Sequence, residues 1–176
     1  MPEPVETTEL RVGEEDIPVY IMTFKDVKNV KELKPMLMDG RINAALVSAK
    51  KIVSPFQLLV ATNIALHNQL DGTMKTKNIN SEIIFSLSPG KQISEAFRSF
   101  GAGPGDTAVA AVAVSDRSRL EPLCQALQGT AVPPEQLAQL ADEQAVIKQY
   151  AVTEQELIVG TLEQAVVSRI ASRCAT

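Results

Sequence analysis

The sequence predicts an α/β (α+β) fold in which a single domain, residues 1–176, contains one mixed β-sheet flanked by helices and ends in a long C-terminal helix. The length of 176 residues and the absence of a Pro/Ser-rich linker favour one domain. The apolar content of 45% and the charged content of 22% are typical of a globular protein with a substantial core. Apolar, β-branched runs alternate with runs of helical period, which indicates a sheet covered by helices.

The N-terminal quarter of the chain begins with a polar lead and continues with a strand and a helix. Residues 1–16 are acidic and polar, so we expect this lead to be less ordered than the rest. Val19–Phe24 is β-branched and apolar and predicts the first strand. Asp26 is expected to cap a helix that ends at Gly40 and contains Pro35.

The next segment predicts two further strands, each followed by a helix. Ala44–Val53 is the second strand region, and Ser54-Pro55 is a helix start with a cap residue and a proline in the first turn. That helix is apolar over most of its surface and ends at Asp71-Gly72. Glu82–Ser88 predicts a strand, and a helix follows from Ile93 to its stop at Gly101.

The C-terminal half predicts a central strand and several helices. Thr107–Val114 is a continuous apolar run of strand type, as expected for the middle of a sheet. A helix near Arg119–Leu127, a short strand at Thr130–Val132 and one or two short helices within Pro134–Tyr150 follow. The last segment, Thr153 to about Arg173, predicts one long helix.

The stretch from Ser81 to Phe97 has the predicted order strand, Gly-Lys turn and helix, which is the layout of a phosphate-binding loop. A Walker loop needs a glycine where this chain has Phe85, and a hydroxyl residue where it has Gln92. Lys91 nevertheless precedes a helix whose first amides favour an anion. The alternative that remains open is a small nucleotide- or ligand-binding enzyme that uses the Pro89-Gly90-Lys91 turn.

The sequence shows no catalytic constellation, no metal-binding spacing and no cofactor motif. Cys124 and Cys174 are the only cysteines and His67 is the only histidine, which is too few for a structural zinc site. We expect both thiols to be free and His67 to be half-buried on an apolar helix. The sequence therefore predicts a protein that is not an enzyme and that binds no metal or cofactor.

Glu82 is unusual because it is a carboxylate in an otherwise apolar run. A buried carboxylate requires a partner, which is either a cation of the protein or a ligand. We favour a structural ion pair with Lys75, Lys77 or Lys91 over a ligand role.

The overall charge argues against a protein that coats nucleic acid or membrane. The net charge is −4, the aromatic content is 4% and there is no tryptophan, so neither a broad basic surface nor stacking platforms are expected. A small local basic patch stays possible. The N-terminus lacks a signal-peptide core, and no apolar run approaches the ~20 residues that span a bilayer. These features predict a protein of the cytosol or nucleus.

The predicted C-terminal helix is apolar over more of its circumference than one contact requires. Ile158, Val159, Leu162, Val166 and Ile170 fall within roughly 120° at 100° per residue. Further apolar residues, namely Ala165, Val167 and Cys174, widen this arc. The excess indicates either a second layer of the same domain or a surface that docks a partner.

Four segments of the chain resemble the TPRKB-type family of PRPK-binding subunits of EKC/KEOPS complexes. The resemblance runs in order through nearly the whole chain and is loose between about Ser115 and Asp142. The segments are FKDVKN, residues 24–29; PFQLLVATNIALH, residues 55–67; MKTKNINSEIIFSLSPGKQISEAFRSFG, residues 74–101; and IVGTLEQAVVSRI, residues 158–170.

This resemblance implies a non-catalytic adaptor with a single α/β domain. It implies binding to the kinase PRPK and, through it, membership of a complex whose OSGEP-type subunit places threonylcarbamoyl on the adenosine beside the tRNA anticodon (t6A). It also implies a cytosolic and nuclear location and capture of the tRNA 3′ CCA tail, expected to be weak for the isolated chain. A kinase partner with a role independent of RNA is a further possibility.

The resemblance assigns two sets of candidate residues. For PRPK binding these are Ile158, Leu162, Val166 and Ile170, flanked by Arg169 and Arg173. For tRNA binding they are Lys75, Lys77, Lys91 and Arg98. The residues of the first set could instead pack on the protein's own sheet. The charges of the second set could instead serve only solubility.

Overall fold

A computed structural model describes residues 3–173 and shows an α+β domain, so the predicted fold class is confirmed. Its sheet has five strands within the described residues. They are β1 (Glu6–Val12), β2 (Glu15–Lys25), β3 (Ala45–Ser48), β4 (Val109–Val114) and β5 (Thr130–Val132). The strand order is β1-β2-β4-β3, and β5 pairs with the end of β2 beyond β1. Every pairing is antiparallel, so the expectation of a mixed sheet is wrong.

Nine α-helices surround this sheet in the part of the chain that the structure describes. They are α1 (Val30–Met38), α2 (Pro55–Asp71), α3 (Ile79–Leu87), α4 (Ile93–Phe100), α5 (Glu121–Ala126), α6 (Leu137–Leu140), α7 (Glu143–Tyr150), α8 (Glu154–Val159) and α9 (Leu162–Arg173). Short 3-10 turns occupy Ala49–Lys51, Arg117–Leu120 and Pro134–Gln136.

The sheet separates two hydrophobic cores because side chains along a strand point alternately to its two faces. Along β4, Ala110, Val112 and Val114 join the larger core, which α2, α3, α7 and α9 cover. The intervening residues of β4 join a smaller core beneath α1 and α5. All six residues of β4 are buried and β4 lies between β2 and β3, so its predicted central position is confirmed.

The polar N-terminal lead is more ordered than its composition suggests. Residues 6–12 form β1, which pairs with β2 through a tight turn at Gly13, where φ is +63°. Alternate β1 side chains are at least partly buried and Val12 packs in the larger core. The expected lack of order is therefore wrong for this part, because Thr8, Leu10 and Val12 alternate with exposed polar residues and this pattern suffices for an edge strand.

The first helix begins three residues later than predicted. Asp26 has a φ of +54° and does not cap it, because the next two amides donate to carbonyls of distant segments, Thr107 O and Gln128 O. Asn29 precedes α1 instead, without a side-chain capping bond. Pro35 lies inside α1, and Gly40, with φ of +81°, follows its end as predicted.

The segment Glu82–Ser88 is a helix rather than the predicted strand. Asn78 caps α3 by accepting a hydrogen bond from the amide of Ser81, and residues 82–87 are buried on all sides. A run that is apolar on every face carries neither a two-residue nor a helical period, so it does not distinguish a buried strand from a buried helix.

The predicted C-terminal helix is divided in two at Gly160, which is extended with φ of −156°. Each half starts with its own cap. Thr153 and Glu156 form a capping box at α8, and Thr161 and Gln164 bond each other's backbone amides before α9. The prediction of a single helix from Thr153 to about Arg173 is therefore wrong, because two cap signatures outweigh the continuous apolar pattern.

The strand predicted over Ala44–Val53 is confined to β3, because Ala49–Lys51 form a 3-10 turn, whereas other predicted elements are confirmed. Ser54 caps α2 with Pro55 in its first turn, and Gly72 ends it in the left-handed conformation at φ of +69°. The predicted helix after Lys91 is α4, and the short strand at residues 130–132 is β5.

Candidate functional site

Two exposed apolar side chains project from the end of α8. Ile158 and Val159 are 82% and 86% exposed, which makes them the most exposed large apolar residues described. We call this pair the apolar tip. Their neighbours Leu157 and Leu162 are partly buried against the larger core. Because these two side chains are adjacent, they form an exposed apolar patch that is available to another surface.

An ion pair holds the two C-terminal helices at a fixed angle. The guanidinium of Arg169 in α9 lies 2.7 Å from the carboxylate of Glu156 in α8. Arg169 also donates hydrogen bonds to the carbonyls of Tyr150 and Ala151 at the end of α7. The hydrogen bond from Arg169, together with that from the Thr153 amide, lowers the pKa of Glu156 to about 2. Arg169 therefore fixes the apolar tip in place from within the protein.

Not all residues assigned to PRPK binding are on the surface. Val166 and Ile170 are 0% exposed and pack in the larger core, so neither can touch a partner while the domain is folded. Leu162 is only partly accessible. Most of the apolar arc therefore faces the protein's own core, as in the interpretation that assigns it to a second layer of the same domain. Ile158 remains as a candidate contact, and Val159 joins it.

Two of the basic candidates lie around an open depression of about 500 Å³. It lies where the C-terminal ends of α2, α3 and α9 meet the start of α4. Lys75 and Lys91 both line it, so the structure brings two of the four tRNA candidates together. The other lining residues are Asn68, Thr73, Phe85, Ile93 and Arg173. We call this depression the basic pocket.

Arg173 belongs to the basic pocket rather than to the apolar tip. Its guanidinium lies 4.5 Å from the centre of the Phe85 ring and donates to the carbonyls of Phe85, Ser88 and Gly90. These bonds attach α9 to the Pro89-Gly90 turn and thus fix the position of Lys91. Its expected role at the flank of the PRPK contact is not supported by this location.

Glu82 is the buried carboxylate beneath the rim of the pocket. It accepts hydrogen bonds from the amides of Lys75 and Thr76, from the Thr76 hydroxyl at 2.6 Å and from the side chain of Asn68. The predicted structural role fits this geometry, but the predicted ion pair does not form, since no lysine ammonium among residues 3–173 forms an ion pair with this carboxylate. Glu82 instead holds the loop that carries Lys75.

The other two tRNA candidates stand apart from the pocket. Lys77 and Arg98 are exposed, but neither lines the depression. Arg98 lies in the last turn of α4, away from the end that the pocket contains.

The strand-turn-helix layout that suggested a nucleotide loop is absent. The turn before Lys91 joins two helices, α3 and α4, and its carbonyls are occupied by Arg173. A Walker loop needs a strand before the turn and free amides that wrap a phosphate. The structure therefore does not favour the nucleotide-binding alternative.

The cysteine and histidine positions reveal no further chemistry. Cys124 is a free, half-buried thiol 3.6 Å from the sulfur of Met22, and burial raises its pKa. Cys174 lies outside the described residues. His67 is half-buried on α2, as expected. Within residues 3–173 no three His, Cys, Asp or Glu side chains converge as metal ligands. In the same range no helix is both long and apolar enough to cross a bilayer.

Sequence reasoning missed several residues of both surfaces. Phe85 was missed because its segment was predicted as a strand. Asn68 was missed because α2 is apolar over most of its surface and was expected to be buried. The signal that could have revealed α3 is Asn78 followed three residues later by Ser81 and then Glu82, a helix-start pattern. Val159 lies at the end of α8 before Gly160, a break that the second cap pattern, Thr161 followed by Gln164, could have indicated.

Comparison with known proteins gives one family and several relatives. Residues 24–174 match the family "Kinase binding protein CGI-121". The chain is 42% identical to the EKC/KEOPS complex subunit TPRKB of Danio rerio, over 85% of this chain and 87% of that protein. It is 32% identical to the EKC/KEOPS complex subunit cgi121 of Aspergillus fumigatus, over 84% and 83%. The subunit CGI121 of Yarrowia lipolytica is also 32% identical, over 77% and 80%.

Proposed function

This chain belongs to the CGI-121 family of kinase binding proteins, and on that premise we propose that it is a non-catalytic subunit of an EKC/KEOPS complex. In this role it binds the kinase subunit PRPK and supports its activity, and it reaches the OSGEP-type subunit only indirectly. The complex then carries out threonylcarbamoyladenosine modification of tRNA next to the anticodon. The matching cellular location is the cytosol and nucleus.

The observation that carries the kinase-binding proposal is the apolar tip. A side chain that exposes more than four-fifths of its surface loses hydrophobic free energy in water and regains it on burial in an interface. Ile158 and Val159 are held rigidly by two capped helices and by the Arg169–Glu156 pair. A rigid apolar anchor binds with a small loss of conformational entropy. The apolar tip is therefore the proposed PRPK contact.

Co-purification with the kinase tests this proposal. Ile158→Asp places a charge in the proposed interface, and we expect it to weaken the complex at least 30-fold, which is the effect of losing about 2 kcal/mol. Met38→Asp is the matched control, because Met38 is 81% exposed at the end of α1. Loss of binding by the Ile158 variant alone supports the proposal. Equal retention by both folded variants contradicts it, and failure of the wild-type chain to pair contradicts the adaptor role itself.

We further propose that the basic pocket captures the 3′ end of tRNA. Lys75 and Lys91 supply two positive charges around a partly apolar depression, a combination suited to a nucleotide with its phosphate. The net charge of −4 predicts that binding by the isolated chain is weak and salt-sensitive. Lys77 and Arg98 are proposed only as outlying phosphate contacts.

Fluorescence anisotropy with tRNA that has or lacks its CCA end tests the pocket. Lys75→Gln/Lys91→Gln should weaken binding of the complete tRNA about tenfold and have little effect on the shortened tRNA. Lys31→Gln/Lys34→Gln removes the same charge from the exposed face of α1 and serves as the control. If both double variants behave alike, the pocket is not the tail site, and the role of the protein is confined to the kinase.

A further inference from the structure

A second cluster of positive charge lies away from the basic pocket. Lys50 and Lys51 end the 3-10 turn after β3, and Lys148 lies in the last turn of α7, which packs against that turn. Lys50 and Lys148 are exposed, and Lys51 is half-buried. We call these three residues the lysine cluster. None of the sequence motifs singled them out, because Lys148 is 97 positions away from Lys51 along the chain.

The charges of the lysine cluster are not neutralised by carboxylates. The Lys51 ammonium donates to the neutral side chain of Gln149 at 2.8 Å and lies 5.9 Å from the ring centre of Phe100. Burial, and then the neighbouring charges of Lys50 and Lys148, lower the pKa of Lys51. All four ion pairs found among residues 3–173 are formed by arginine, and none by lysine.

Two aspartates on segments beside the cluster form no ion pair with its lysines. The Asp142 amide donates a hydrogen bond to the Lys50 carbonyl. The Asp142 carboxylate caps α7 by accepting a hydrogen bond from the Ala145 amide. The carboxylate of Asp106 accepts from Ser48 and from the Gly103 amide. The charges of Lys50 and Lys148 disfavour the charged form of Lys51, and a bound anion would favour it.

The position of the cluster relative to the basic pocket suggests a shared ligand. Gln57, near the start of α2, donates to the Lys51 carbonyl, whereas Asn68, near the end of α2, lines the pocket. At 1.5 Å per residue these eleven residues span about 16 Å. Along α4, Phe100 lies beside Lys51 of the cluster and Ile93 lines the pocket. These two residues are about 10 Å apart along the helix. A nucleic-acid strand, with a charge about every 3.4 Å, would present several phosphates over such a distance.

We propose that the lysine cluster is a second contact for the phosphodiester backbone of the RNA whose 3′ end occupies the basic pocket. This inference rests on the tRNA binding proposed above. The cluster binds phosphates without reading bases, since it offers flexible ammonium groups and no exposed stacking ring. It adds affinity and orientation, while the pocket binds the tail.

Salt-dependent tRNA binding tests the proposal with the complete chain. Lys50→Gln/Lys51→Gln/Lys148→Gln should weaken binding about tenfold and reduce the slope of log Kd against log salt by about 2. Lys28→Gln/Lys31→Gln/Lys34→Gln is the matched control, with the same loss of charge near α1 on the other face of the sheet. If the triple variant is unstable, the single variant Lys148→Gln, at an exposed position, replaces it. We expect this variant to weaken binding in the same way but by less.

Each outcome decides between the cluster and its alternatives. A triple variant that loses no more affinity than its control overturns the second contact while leaving the pocket intact. Wild-type chain that binds no tRNA overturns both RNA proposals. The triple variant should also weaken binding of tRNA that lacks the CCA end. If it weakens binding of the complete tRNA alone, the cluster contacts the tail and is part of the pocket site, which overturns the second contact. If the triple variant weakens binding of a fluorescent polyglutamate peptide but not binding of tRNA, the cluster is assigned to acidic protein segments and the RNA assignment is overturned.

Discussion

Glu82 is the residue that fixes the loop beneath the basic pocket. Its carboxylate is fully buried and accepts from two backbone amides and a hydroxyl of Lys75 and Thr76. Hydrogen bonds to a buried charge contribute about 1.5–3 kcal/mol each, and an amide left without its acceptor is costly. Loop position and domain stability therefore both depend on this one side chain.

We expect Glu82→Gln to destabilise the protein by about 2 kcal/mol, because glutamine replaces one acceptor oxygen by a donor that faces other donors. Urea unfolding followed by circular dichroism measures the change in the free energy of unfolding. Glu9→Gln, at an exposed position of β1, is the control and should change it by less than about 0.5 kcal/mol. Similar stabilities of the two variants would show that the Glu82 network is not required.

Glu156 makes the contact between α8 and α9 dependent on pH. Its pKa in the folded protein is about 2, against an ordinary value of 4.5, so its ionised form favours the folded state. The stabilisation is complete above about pH 4.5 and is lost as the pH falls towards 2. We therefore expect the difference in Tm between wild type and Glu156→Gln to be largest at neutral pH and to vanish near pH 2.

The arginine partner supplies the control for this pH dependence. In an Arg169→Met background the hydrogen bond that contributes most to the shift is absent, so Glu156→Gln should produce a much flatter Tm difference over the same pH range. An unchanged pH profile in that background would contradict the role given to the pair.

At the scale of elements, the sequence is informative where one face of an element is polar and ambiguous where the whole element is buried. The start and end of α2 were predicted because Ser54-Pro55 and Gly72 act locally on the backbone. The strand type of β4 was predicted because a continuous apolar run of six residues suits a central strand. The same reasoning failed for α3, where Ile83, Ile84 and Phe85 favour a strand by propensity but are held in a helix by packing.

The helical state of α3 depends on its N-cap and gives a direct test. Asn78→Ala removes the side chain that accepts from the Ser81 amide and should lower the free energy of unfolding by about 1 kcal/mol. Asn78→Asp keeps the acceptor and should restore most of this loss. Equal stabilities of the two variants, measured by thermal unfolding, would contradict the capping role and the helix start at this position.

The two halves of the predicted C-terminal helix show what periodicity cannot reveal. The apolar arc of residues 158–170 was read as continuous, yet Gly160 separates an exposed pair from a buried stripe. Which part of such an arc faces the core depends on where the neighbouring helices α2 and α7 lie, and this is a tertiary property. Of the apolar residues predicted at the partner contact, Ile158 is exposed, whereas Val166 and Ile170 are buried.

At the scale of the whole molecule, the apolar tip and the basic pocket lie at the two ends of α9. Leu162 at the start of α9 follows the tip, and Arg173 at its end lines the pocket, so one chain can contact a protein and a polyanion at the same time. The fold class was predictable because alternating strand and helix patterns define it. The strand directions and the contacts made by Arg173 were not, because they depend on residues far apart in the sequence.

Hydrogen–deuterium exchange of the chain, alone and bound to PRPK, tests the kinase-docking claim most directly. It reports the docking surface on the wild-type protein, without a substitution that changes the fold. We predict that PRPK slows exchange in residues 154–162, around the apolar tip, and leaves residues 73–78 beside the basic pocket unchanged. Slowed exchange confined to the pocket, or to the face covered by α1, would contradict the docking surface that we assign.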